Sequence, residues 1–69
     1  MQRIAVASSN ISEIGYDEQS ATLEVLFKDG LIYQYFDVPK ASFDSLLSAP
    51  SIGQFFNKEI RGVYRFART

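Results

Sequence analysis

From Ala21 to Asp37 apolar side chains recur at every second position, with one break at Lys28-Asp29-Gly30. Ala21, Leu23, Val25 and Phe27 alternate with Thr22, Glu24, Leu26 and Lys28, which is the period of a half-buried strand. Leu31–Asp37 reads as the returning strand, so the segment is a β-hairpin whose turn ends in glycine. Slipping a hairpin by one residue exchanges the two faces of a strand. The length of this one loop therefore decides whether Tyr33 and Tyr35 are displayed or buried.

Two registers compete. With Asp29-Gly30 as a two-residue turn, Phe27 faces Ile32, Val25 faces Gln34 and Leu23 faces Phe36, and both tyrosines lie on the open face beside Leu26 and Glu24. With Lys28-Asp29-Gly30 as a three-residue loop closed by a left-handed glycine, Val25 faces Tyr33 and Leu23 faces Tyr35. The first register sets an amide against a buried valine, at a cost of about 1–3 kcal/mol unless it finds a partner. The second matches Glu24 with Gln34 and gathers a continuous apolar face. The second is preferred, and it makes Tyr33 and Tyr35 core residues whose hydroxyls reach an edge.

The flanking chain fits around this hairpin. Ile11–Tyr16 reads as a preceding strand, entered through Ser8-Ser9-Asn10 and left through the turn-like Asp17-Glu18-Gln19-Ser20. After Pro39, suited to a first helical turn, Phe43, Leu46 and Leu47 form one apolar stripe. Ala49-Pro50 ends that helix. Ser51-Ile52-Gly53-Gln54 fits a capping box opening a second helix, with Ile52, Phe55, Phe56 and Ile60 on one side and Gly62 as its natural end. Val63–Phe66 reads either as a short strand or as an ordered tail. The expected fold is α+β: a three-stranded antiparallel meander packed against two short C-terminal helices, with residues 1–69 as one domain.

Composition narrows the chemistry. The 69 residues include no cysteine and no histidine, which removes disulfides, zinc ribbons, thiolate catalysis and the most common general base. A chain this short buries only about 60% of its unfolded surface, and its six Phe and four Tyr supply the packing that must compensate. Met1–Ala7 is too short an apolar run for a signal peptide or a membrane span, so a cytoplasmic protein is expected. Residues 1–37 hold two basic against six acidic side chains, and residues 38–69 five against two. That asymmetry fits a surface that meets an anion or an acidic partner, and it fits equally a solvated C-terminal end.

No constellation points to catalysis. Ser8-Ser9 has no base near it in sequence, Glu13, Asp17 and Glu18 lack calcium-loop spacing, and the four glycines are too scattered for a phosphate loop. Neither a cofactor nor a metal is expected. The best binding candidate is the stretch Asn57–Arg65. If the helix runs through it, Lys58, Arg61 and Arg65 share a face, with Tyr64 beside them and Arg68 extending the patch, a combination suited to phosphate and base contacts. Against this stands an isoelectric point near 5.1.

The strings SSNISEIGYD, LEVLFKDGLIYQYFDVP and SAPSIGQFFNKEIRGVY resemble, in order and spacing, the KTSC domain, over about Val6 to Arg65. That family is named for its place at the C-terminus of some lysyl-tRNA synthetases, and it also occurs as small stand-alone bacterial and phage proteins. Tyr33 and Tyr35 match its central tyrosine-x-tyrosine. The resemblance implies no catalytic residue, and the synthetase fusions imply RNA as a partner. The leading expectation is thus a small non-catalytic module binding RNA through Lys58, Arg61, Tyr64 and Arg65. The alternative is a protein-interaction module using Leu26, Ile32 and Phe36 on the outer sheet face.

Overall fold

A computed structural model describes all of residues 1–69. Its five strands form one antiparallel sheet in the order β1-β2-β3-β4-β5: β1 (Arg3–Ala5), β2 (Ile11–Asp17), β3 (Thr22–Phe27), β4 (Ile32–Tyr35) and β5 (Phe66–Arg68). Between β4 and β5 lie α1 (Lys40–Ser48) and α2 (Ile52–Phe55), and α2 widens without a break into a π-helical segment, Phe56–Ile60. No helix is long and apolar enough to cross a membrane.

The α+β class stands, but the three-stranded meander is really five strands. The two additions are the edges, each three residues long and too short to show a period. Arg3–Ala5 pairs with Glu13–Gly15. The C-terminal strand comes later than expected, over Phe66–Arg68, and pairs with Tyr33–Tyr35. Pro39 also shifts by one place: it precedes α1 as its extended N-cap residue. Ser51 caps α2 as its sequence suggests, its hydroxyl accepting from the Gln54 N–H at 3.3 Å.

The hairpin takes the three-residue loop. The Phe27 carbonyl accepts from the Gly30 N–H and the Phe27 N–H donates to Leu31, each at 2.9 Å. Gly30 sits at φ +92°, and the pairs are Leu23–Tyr35, Glu24–Gln34, Val25–Tyr33 and Leu26–Ile32. Leu23, Val25 and Tyr35 consequently enter a core completed by Ile11, Ile14, Val38, Leu46, Phe56 and Ile60. Ile11 and Ile14 are an odd number of positions apart and would fall on opposite faces of a regular strand. A bulge between Ile11 and Glu13 brings both inward. Tyr16 stacks on Phe43 of α1 at 4.8 Å, and its hydroxyl donates to the Val38 carbonyl.

No helix covers the other face. Its centre is a polar chain across four strands. Arg3 donates to Glu13 at 3.0 Å and to Glu24 at 2.8 Å, and Gln34 donates to Glu24 at 2.9 Å. Glycine at position 15 makes room for it, since a Cβ there would stand 2.9 Å from Arg3 Cγ and 2.6 Å from the Gln2 carbonyl oxygen. Leu26, Ile32 and Phe36 on this face are each only partly exposed.

Two stability outcomes are expected. Tyr35→Ala should cost about 3–5 kcal/mol, since it empties an aromatic core site. Gly30→Val has open space around its new side chain, so its cost, about 1–3 kcal/mol, should come from the backbone conformation alone. Denaturant unfolding of both variants checks these values, and a neutral Gly30→Val would refute the left-handed loop.

Candidate functional site

The helical face expected to unite Lys58, Arg61 and Arg65 does not form. The helix ends at Ile60: Arg61 is extended at φ −66°, ψ 127°, and Gly62 turns the chain at φ +78°. The four residues therefore separate. Lys58 is exposed on the π segment, in a shallow hollow shared with Pro50 and Phe55. The half-buried Tyr64 brings its hydroxyl to 3.4 Å from Ser42 Oγ. Arg65 pairs with Asp37 at 2.9 Å, both ends exposed, and its guanidinium lies 5.6 Å from the Phe36 ring centroid. Only Arg61 enters a cavity with other distinctive groups.

That cavity is an open groove of about 590 Å³ between the hairpin and the end of the π segment. Its apolar lining comes from Phe27, Leu31, Tyr33, Tyr35, Phe56 and Phe66. Tyr33 and Tyr35 project from the same face of β4, and β5 sets Phe66 opposite Tyr35. The three rings lie within 5.7–6.4 Å of one another at 21–39°. Phe27 meets Tyr33 edge-on at 5.7 Å and Phe56 meets Tyr35 edge-on at 5.4 Å. Tyr33 and Tyr35 are thus nearly parallel, Phe66 is tilted against both, and two upright rings buttress the cluster. Asn10, Lys28, Asp29 and Arg61 add the polar lining.

Two kinds of unpartnered group converge on this groove. Of the four tyrosines, Tyr16 and Tyr64 have hydroxyl partners within the chain. Tyr33 and Tyr35 have none. Tyr35 is only 4% exposed, yet no buried side-chain polar atom lacks a partner, so its hydroxyl oxygen must open onto the groove. The cations divide in the same way. Arg3, Lys40 and Arg65 are in ion pairs, which leaves Lys28, Lys58, Arg61 and Arg68. Lys28 and Arg61 line the groove, and Arg68 stands opposite Tyr33 on the same sheet face. Burial pushes the Tyr35 phenol above its ordinary value, with the Arg61 charge acting against the rise.

Chemically, such a groove offers accessible aromatic rings, two phenols, and the positive charge of Lys28 and Arg61 against the single carboxylate of Asp29, which suits an aromatic ring carrying an anionic group. No group of three or more acidic side chains is placed to hold a metal ion. Sequence reasoning singled out Arg61 as a binding candidate, read Tyr33 and Tyr35 as core, and did not bring Asn10, Lys28 and Phe66 beside them. Hairpin pairing places Lys28 near the tyrosines, whereas Phe66 arrives through a strand with no sequence period.

Comparison with known proteins gives a consistent family. The model of the KTSC domain matches residues 7–64. A lysine–tRNA ligase of Nostoc punctiforme is 41% identical over 58 residues, covering 84% of this chain and 10% of the ligase. The chain thus corresponds to about a tenth of that enzyme's length. An uncharacterised protein of Stutzerimonas stutzeri is 39% identical over 69 residues, covering 99% of this chain and 97% of its own. The crystal structure of a KTSC domain protein from Yersinia pestis superposes with a TM-score of 0.93 at 39% identity, over 99% of this chain and 96% of that one.

The buried phenol yields a pH dependence. Tyr35 has its pKa raised above 10.0 in the folded state, so the unfolded chain loses this proton first. Stability should therefore be intact below pH 10 and fall as pH rises from there through the folded-state value. Tyr16 is raised too, again chiefly by burial, and shares in the fall. Thermal melts across the alkaline range should show a shallower decline for Tyr35→Phe than for the unmodified protein. Equal slopes would mean that Tyr35 titrates normally.

Proposed function

Because the chain belongs to the KTSC domain family, with relatives that stand alone and relatives within lysine–tRNA ligases, we propose that it is a small non-catalytic module that binds single-stranded RNA in the aromatic groove. One observation carries this reading: cations without ion-pair partners and tyrosines without hydroxyl partners meet at the same place. Phosphates would be held by Arg61, Lys28 and Arg68, and an unstacked base by the accessible rings of Tyr33 and Phe66, with the buried Tyr35 ring as their backing, the division of labour general to single-strand binding. Glu13, Glu24, Asp37 and Asp44 are each paired with an arginine or lysine, and at the groove Lys28 and Arg61 outnumber the one carboxylate, Asp29. The ligase relatives add support, since an enzyme charging tRNA works on RNA.

Of the four residues the sequence singled out, Arg61 carries the contact. Lys58 would act at longer range, through charge alone. Tyr64 and Arg65 are engaged elsewhere, with Ser42 and Asp37. The protein-interaction alternative has less support. Leu26, Ile32 and Phe36 are partly covered, and the Arg3–Glu24–Gln34 chain crosses the middle of their face.

Titration with labelled single-stranded RNA at two salt concentrations tests the proposal. Affinity should fall steeply with salt, as counterion release requires. Arg61→Glu should remove most binding, about 1.5–3 kcal/mol or more for a lost charge-assisted contact, while Arg65→Glu should have little effect. Weakening should be similar across sequences, because phosphate contacts carry little base information. Absence of binding at low salt would overturn the reading, and an Arg65→Glu loss equal to that of Arg61→Glu would move the site off the groove.

A further inference from the structure

The geometry points to a more specific ligand: we infer that the groove is a mononucleotide pocket, taking one unstacked base together with one adjoining phosphate. The inference rests on the RNA reading and narrows it. A surface that tracks a single strand spreads its aromatic rings along a path, one base to each. Here the rings converge. Tyr33, Tyr35 and Phe66 lie within 6.4 Å of one another, and Phe27 and Phe56 stand upright against Tyr33 and Tyr35. The volume of about 590 Å³ falls in the range of clefts that hold one small ligand, though this one is open on one side.

The polar groups fit the same ligand. A base laid against the Tyr33 and Phe66 rings needs its ring nitrogens and exocyclic groups satisfied, or its desolvation opposes binding. The Tyr33 and Tyr35 hydroxyls have no partner within the chain and can each donate or accept. Asp29 uses Oδ1 for the Leu31 N–H and keeps an oxygen for an exocyclic amine. Arg61 supplies a fork for phosphate. The other sizeable hollow, between Ser8–Asn10 and Pro50–Gln54, has few apolar walls and no lysine or arginine. It could solvate a base but not stack it.

The test is NMR titration of the whole protein with nucleoside 5′-monophosphates, the corresponding nucleosides, inorganic phosphate and a short single-stranded RNA. Monophosphates should shift the ring signals of Tyr33, Tyr35 and Phe66 saturably. Nucleosides should bind about tenfold or more weakly, for want of the charged contact to Arg61, and inorganic phosphate alone should leave the rings unmoved. Arg61→Gln should erase the preference for monophosphate over nucleoside. Tyr35→Phe keeps the ring, and should weaken monophosphate binding about threefold to tenfold with the fold intact by melting. Similar affinity for monophosphate and oligonucleotide would assign the pocket to free nucleotides, whereas tighter oligonucleotide binding at the same signals would assign it to RNA. Both sustain a one-nucleotide pocket. If the oligonucleotide shifts the groove signals while no monophosphate does, the mononucleotide inference fails and the RNA reading survives. If neither shifts them, both fail, and a peptide ligand becomes the next occupant to try.

Discussion

The left-handed conformation of Gly30 underlies the arrangement of this protein. By closing a three-residue loop at φ +92°, it sets Val25 opposite Tyr33 and Leu23 opposite Tyr35. One residue fewer in the loop would have turned both tyrosines to the uncovered face. Everything at the groove follows from this choice. Tyr35 can meet Phe56, Phe27 can meet Tyr33, and β5 can lay Phe66 beside them only because the rings face the helices. The core and the candidate binding surface are therefore two ends of one aromatic cluster, buried at Phe56 and open at Phe66.

Charge is distributed by the same topology. The first half of the chain looks acidic in sequence, yet the sheet neutralises much of it. Arg3, at the edge, reaches across Gly15 to both Glu13 and Glu24, and Arg65 crosses from the C-terminal segment to Asp37. These pairs are at least partly exposed, so their value to stability is modest. Their larger effect is on the field outside the protein. With carboxylates occupied on the outer face and beside Phe36, the cations that remain near the sheet are the ones around the groove.

The parts of this fold that the sequence revealed are those with a local cause. Alternation over residues 21–28 and the Lys28-Asp29-Gly30 break gave the hairpin and its register. Ser51 gave the second helix start, and the separate apolar stripes of the two helices gave Leu46, Phe56 and Ile60 as core positions. The first edge strand was hidden, and the last was only one of two readings and placed too early at Val63–Phe66, because three residues show no period and their side chains are largely exposed. The bulge between Ile11 and Glu13 was hidden because it appears only when two strands are laid side by side. For the site, Arg61 was legible as a binding candidate and Tyr33 and Tyr35 only as core, and their assembly was not legible. Asn10, Lys28 and Phe66 reach the groove from three separate stretches of chain.

The helical face drawn through Lys58, Arg61 and Arg65 failed for a reason that bears on the groove itself. An α-helix continued to Gly62 would have placed Arg61 one turn beyond Lys58, out in solvent. Instead the last turn widens, so that the Arg61 N–H donates to the Phe56 carbonyl, five residues back, at 2.9 Å. A π turn of this kind accommodates an extra residue in a helix and is often found at functional sites. Phe56 and Ile60 both stay buried, while Arg61 leaves the helix with extended backbone and lines the groove beside Tyr35. Core packing requires only the two apolar residues. The widened turn satisfies them and, in the same step, delivers a guanidinium to a cleft that already holds two unpartnered phenols.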